Sequence, residues 1–150
     1  MKKSLLLILA GVLFILGITG CSANKADVNE TNGVSMVIKK GTLTNKSATI
    51  VIHDSNETGT YMYGESFRID KKENENWNEA EIIYDDYAFN TIGYIIEKNG
   101  ELELECDWEH IYGSLEKGEY RLVKDAIPDS VNPITDADKV LYLSVEFTIE

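Results

Sequence analysis

Alternation of apolar and polar residues decides what most of this chain can become. Leu102, Leu104, Cys106 and Trp108 alternate with Glu101, Glu103, Glu105 and Asp107. Leu141, Leu143, Val145, Phe147 and Ile149 alternate with Tyr142, Ser144, Glu146 and Thr148. Ala48, Ile50 and Ile52, and then Phe67 and Ile69, repeat the pattern on a shorter scale. A period of two puts one set of side chains on each face of a strand, so these segments read as strands with one buried and one wet face. Beyond residue 33 no segment carries a helical stripe. The pattern predicts about eight strands, over 34–40, 47–53, 65–72, 77–84, 89–97, 101–108, 119–125 and 139–149. Short strands in this number, parted by regular turns, predict an all-β domain over residues 34–150 that is a β-sandwich rather than a single sheet.

Turn chemistry separates the strands. Glu73-Asn74-Glu75-Asn76 joins the strand ending at Lys72 to the one holding Trp77. Asn99-Gly100 is the strongest hairpin signal, because a type I′ turn needs positive φ at both central residues. Leu115-Glu116-Lys117-Gly118-Glu119-Tyr120 has the Leu-x-x-Gly-x-Tyr form ahead of a long alternating strand. It predicts a tyrosine corner, in which the Tyr120 hydroxyl bonds back to the backbone a few residues upstream. Trp77 and Trp108 are expected in the core.

The first twenty residues follow other rules. Lys2 and Lys3 precede an almost unbroken apolar run from Leu5 to Leu16, the pattern of a secretory signal. The run is too short for a confident membrane span, which takes about 20 apolar residues. It ends in Ile18-Thr19-Gly20-Cys21, which looks like a bacterial lipobox. Small residues give a membrane peptidase access to the bond before Cys21, whose thiol accepts a diacylglycerol group. At roughly 0.8 kcal/mol per buried CH₂, several acyl chains on one cysteine anchor a protein stably. The expected organisation is a signal peptide over 1–20, a lipidated cysteine and polar tether over 21–33, and one domain beyond. The expected location is the outer face of the cell membrane, with membrane lipid as a partner through Cys21.

Cleavage removes Lys2 and Lys3 and takes the net charge from −12 to −14. So acidic a chain is a poor partner for nucleic acid. With Cys21 lipidated, Cys106 stands alone and no internal disulfide forms.

The residues Trp108-Glu109-His110-Ile111-Tyr112-Gly113-Ser114-Leu115, followed by Gly118-Glu119-Tyr120-Arg121-Leu122-Val123-Lys124, are similar to the signature of a bacterial Ig-like domain family. Gly64-Glu65-Ser66-Phe67-Arg68-Ile69, then Trp77, matches its middle section, and the resemblance covers about 34–149. Lys117 departs from it, since the family usually has Pro there. The resemblance implies an immunoglobulin-like β-sandwich of about seven to eight antiparallel strands, a Gram-positive envelope setting and no transferable catalytic residue.

Chemistry is sparse in the remaining residues. His53 and His110 are far apart and read as surface histidines. Asp85, Asp86, Asp129, Asp136 and Asp138 read as solvated loop acids. Asp136 and Asp138 alone do not make a calcium loop, which needs its Gly and terminal Glu. No Gly-x-Ser-x-Gly elbow and no phosphate-cradling loop occurs. Cys106 shares a face with Leu104 and Trp108 and reads as core rather than reactive thiol. No metal, cofactor or enzyme activity is expected. On this fold, partners meet loops at the ends of the sandwich. The topology predicts that 54–64, with Tyr61, Met62 and Tyr63, shares one end with 126–138, with Pro128 and Pro133. These residues are the candidate patch for an envelope or extracellular protein or polymer; in the competing reading, the tyrosines only cover the core. Two other functional readings stand beside a binding module: a structural or accessory subunit of an envelope complex, and an enzyme or inhibitor.

Overall fold

The computed structural model describes residues 33–84 and 86–150. The expected signal, the cleavage motif Ile18, Thr19 and Gly20, and Cys21 lie outside the described residues.

Two antiparallel sheets pack face to face as an immunoglobulin-like sandwich. The smaller holds β1 (Val34–Ile38), β2 (Ser47–Asp54) and β7 (Gly100–Asp107), in the order β1-β2-β7. The larger holds β3 (Tyr61–Tyr63), β4 (Phe67–Glu73), β5 (Asn76–Glu79), β6 (Tyr94–Ile95), β8 (Gly118–Pro128) and β9 (Leu141–Ile149). Here β8 is central: β9 lies along one side, and β4 and β3 lie in succession along the other. A single helical turn, α1 (Glu109–Tyr112), follows β7.

Alternation sets the core. Ile50 and Ile52 of β2 and Leu104 of β7 meet Ile69 of β4, Leu122 of β8 and Leu143 of β9 in one cluster. Registers such as Ile50↔Leu104 and Ile69↔Leu122 put these side chains on the facing surfaces. Lys124 takes an inward position on β8 and is fully buried. Its ammonium donates to the Ser66 carbonyl at 2.7 Å and to Asp125 Oδ1 at 3.1 Å, which offsets the cost of burying a charge. Those partners sit where β3 gives way to β4. Between Met62↔Ile127 and Phe67↔Lys124, β8 advances three residues while the opposing chain advances five. The extra length at Gly64–Ser66 is a bulge that turns the Ser66 carbonyl toward Lys124.

Three expectations change. Asn99-Gly100 is not a two-residue hairpin. Only Asn99 has positive φ, at 58°, and Gly100 N–H closes the turn on the Glu97 carbonyl at 2.7 Å. The chain crosses from one sheet to the other there, since β6 pairs with β3 and β7 with β2. Gly100 is needed for space: a Cβ would lie 2.7 Å from the Glu97 carbonyl oxygen. Positive φ at both central positions occurs instead at Asn74 (49°) and Glu75 (64°), between Glu73 and its partner Asn76.

Trp77 is not a core residue. Its register opposite Lys72 puts it on the outer face of the larger sheet, half-buried. The Arg121 guanidinium lies 5.0 Å from its ring centroid and the Lys72 ammonium 5.8 Å, so cations supply the cover that apolar neighbours would give inside. Lastly, Tyr61–Tyr63 is a short strand rather than part of a loop, while the strands expected over 77–84 and 89–97 contract to β5 and β6.

The candidate interaction surfaces

Strand directions assign most loops to one end of the sandwich. The pairs Val34↔Asp54 and Asp54↔Gly100 put Gly33 beside the 54–60 and 96–100 connections. Tyr61↔Pro128 and Ala126↔Leu141 bring 128–140 to the same end. The Gly33 carbonyl accepts from the Ser55 amide at 2.9 Å, and the Asp129 amide donates to the Thr60 carbonyl at 3.1 Å. This end, which holds Gly33, is called the tether end after the polar tether expected over 21–33. The opposite, far end carries 39–46, 73–76 and 107–118.

The far end is closed by packing. Trp108 is fully buried, with its indole N–H donating to the Asn45 carbonyl at 3.0 Å. Phe147 lies between Trp108 (centroids 5.6 Å apart) and Tyr120 (5.7 Å), near-parallel to both. The Tyr120 hydroxyl donates to the Glu116 carbonyl at 3.0 Å, the geometry of a tyrosine corner, with Leu115 buried beneath and Gly118 opening β8. Lys117 occupies the turn without disturbing that bond.

The tether end is different. Tyr63 is fully buried, and its hydroxyl donates to Asp54 Oδ2 at 2.7 Å; burial, then this carboxylate, pushes the phenol well above its ordinary range. Asp54 Oδ1 also accepts from the Asn56 amide at 2.8 Å. Tyr61 packs against the core, its ring centroid 6.5 Å from that of Tyr63. Both tyrosines therefore cover the end of the core, as alternation along β3 requires. Met62, between them, faces out and is 37% exposed. Opposite it lie Ile95 of β6, 61% exposed, and Ile127 of β8, so an apolar row crosses the outer face at this end. No sequence period marked Ile92 or Ile95 as surface residues, because the alternation fades between 80 and 97. Pro128 ends β8. Pro133 lines an open hollow of about 320 Å³ with Phe67, Arg68, Val123, Val140 and Tyr142.

The outer face also gathers both arginines of the chain. Arg68 Nε donates to Asp70 Oδ1 at 2.7 Å, and Arg121 Nε to Asp70 Oδ2 at 2.8 Å. Asp70 and Arg121 are buried although they face outward, so this cluster, with Trp77, seals the sheet surface.

Among the described residues the two histidines do not converge. His53 Nδ1 lies 4.0 Å from Glu101 and His110 Nε2 4.0 Å from Asp107, on different parts of the fold. Among the described residues no three His, Cys, Asp or Glu side chains stand close enough to hold a metal ion. Asp136 accepts from the Lys139 ammonium at 2.6 Å and from the Thr135 hydroxyl at 3.0 Å, and these bonds hold its carboxyl below the usual range. Burial pushes the Cys106 thiol up to about 12, so the nucleophilic thiolate is scarce near neutrality. Among the described residues no helix is long and apolar enough to cross a membrane.

Two stacked antiparallel sheets, joined by a tyrosine corner, define an Ig-like module. The family model described as bacterial Ig-like domain matches residues 30–148, and the chain belongs to that family. No curated protein matches the chain. The family is generally non-enzymatic, which suits a surface or binding module.

Proposed function

We propose that the chain is a lipid-anchored, non-enzymatic binding module displayed on the outer face of a cell membrane. The match to a bacterial Ig-like domain across the described domain carries this reading. The lipobox-like Ile18-Thr19-Gly20-Cys21 supplies the anchor, and the polar residues after it supply the tether. Membrane lipid is then a partner through Cys21, and an envelope or extracellular protein or polymer is the other. The exposed apolar row at the tether end is the surface best suited to that partner, since large apolar side chains gathered in water mark interaction sites.

Metabolic labelling with a fatty-acid analogue, followed by membrane fractionation, tests the anchor. The wild-type protein takes label and sediments with membranes. Cys21→Ser takes none and is either released or retained as an uncut precursor. A Cys21→Ser protein that is still labelled and processed overturns the reading.

A further inference from the structure

The sheet edges are not equally protected. In the smaller sheet, edge strand β7 carries Glu101, Glu103 and Glu105 on its exposed face. In the larger sheet, β5 reads Asn-Trp-Asn-Glu and its Trp77 is covered by two cations. Edge strands β1 and β9 also lack Lys and Pro, but they lie against each other. By contrast β6 is Tyr94–Ile95, with neither Lys nor Pro, and among the described residues it pairs only with β3. Proteins usually blunt an edge by keeping it short or with charge, proline or a covering segment, because unpaired N–H and C=O groups invite another strand; β6 is short but has neither charge nor proline. Beside this edge Ile92 and Ile95 are 53% and 61% exposed, and Met62 continues the apolar surface inward.

Charge narrows the occupant. The tether-end segments 54–60, 96–101 and 128–140 hold seven acids against Lys98 and Lys139. The far-end segments 39–46, 73–76 and 107–118 are near balance, with five acids against four lysines. Glu65 accepts from the Tyr94 hydroxyl at 2.6 Å and so stands at β6 itself. Exposed Glu97 and Asp129 have no ion-pair partner among the described residues. Acids at this density repel an anionic bilayer, which attracts Lys and Arg. They attract a cationic chain.

We propose that the free edge of β6 takes an extended, cationic and apolar peptide segment as an added strand. Main-chain hydrogen bonds to β6 give affinity, alternate apolar side chains rest on Ile95, which Met62 backs from β3, and lysines or arginines face Glu97 and Asp129. The position of the donor follows from the anchoring reading above and rests on it. Gly33 leaves the domain at this same end, twelve residues after Cys21. Such a tether reaches at most about 40 Å at 3.3–3.6 Å per residue. The edge is therefore held within reach of proteins at the same membrane.

The test uses the full chain in detergent and a ten-residue peptide alternating valine and lysine, with a valine–glutamate peptide as counterpart. The lysine peptide binds, weakens as salt rises, and slows hydrogen exchange at the Tyr94 and Ile95 amides. Met62→Gln with Ile95→Gln lowers its affinity about tenfold or more, through lost apolar contact, at an unchanged unfolding midpoint. Glu97→Gln with Asp129→Asn flattens the salt dependence. No binding, equal binding of the two peptides, or unaltered exchange at Tyr94 and Ile95 overturns the proposal. So does capture of phosphatidylglycerol vesicles through Met62 and Ile95 without peptide binding, which gives the patch to lipid. A doubled mass that Ile95→Gln abolishes also overturns it, giving the patch to a second copy. None of these readouts needs Cys21 to be lipidated, so failure of the anchoring reading is distinguishable from failure here.

Discussion

The two ends of the sandwich share every long strand yet are finished in opposite ways. At the far end, Trp108, Phe147 and Tyr120 form a continuous aromatic stack, and the Asn45 carbonyl accepts from both the Trp108 indole and the Leu115 amide. At the tether end, acids crowd the loops and isoleucines stand in water. A β-sandwich needs only part of its periphery to hold its sheets together. Here the far end does most of that, and the tether end is left free for contact.

Substitutions that treat the ends differently sharpen this contrast. The largest effect is expected at the far end. Trp108→Ala empties a fully buried site, and large-to-small changes of this kind cost about 3–5 kcal/mol. Denaturant unfolding checks it; a loss below about 1 kcal/mol would mean that the aromatic stack is not what closes this end.

The next effect comes with alkali. The Cys106 thiol is held up to about 12 in the folded chain by burial, against an ordinary value of 9.0. The unfolded chain therefore ionises first. Stability is full below about pH 9 and falls as pH rises toward 12, with about 1 kcal/mol lost to this thiol by pH 10. Tyr63, also raised by burial and by Asp54, adds a similar fall above its ordinary 10.0. Comparing unfolding midpoints at pH 7 and 10, Cys106→Ala flattens the decline; an unchanged decline contradicts the assignment.

Smaller effects test the details of each end. Tyr120→Phe removes one hydrogen bond to the Glu116 carbonyl and is expected to cost about 1 kcal/mol. At the tether end Ile134→Ser, at a side chain 90% exposed, is expected to stay within about 0.5 kcal/mol of wild type. A tether-end loss comparable with that of Trp108→Ala would erase the distinction.

The sequence was most legible where a local pattern and the tertiary fold agree. Glu101 to Asp107 and Leu141 to Ile149 alternate cleanly because each strand has one wet face, and both strands appear where the alternation puts them. The tyrosine corner was legible because Leu115, Gly118 and Tyr120 meet within six residues. Legibility failed where distant pairing decides. Tyr61–Tyr63 is too short to show a period, and its strand character comes from Ile127 and Pro128, far along the chain. Trp77 carries every compositional mark of a core residue, but its register with Lys72 turns it outward. Asn99-Gly100 has hairpin chemistry, yet the strands it joins belong to different sheets. The convergence of Arg68 and Arg121 on Asp70 has no local sequence signal at all. Of the candidate patch, the prolines, the tyrosines and Met62 were readable as residues sharing one end. The apolar surface there falls to Met62 and Ile95, which only the β3–β6 pairing brings together.

If the anchoring proposed above holds, the acidic, apolar end faces the membrane and the packed end faces away. Energy transfer from single fluorophores at 134 and at 117 to a lipid-borne acceptor, with the lipidated protein reconstituted in vesicles, measures this directly. Transfer from 134 is expected to be stronger than from 117. Equal transfer, or stronger transfer from 117, would contradict it.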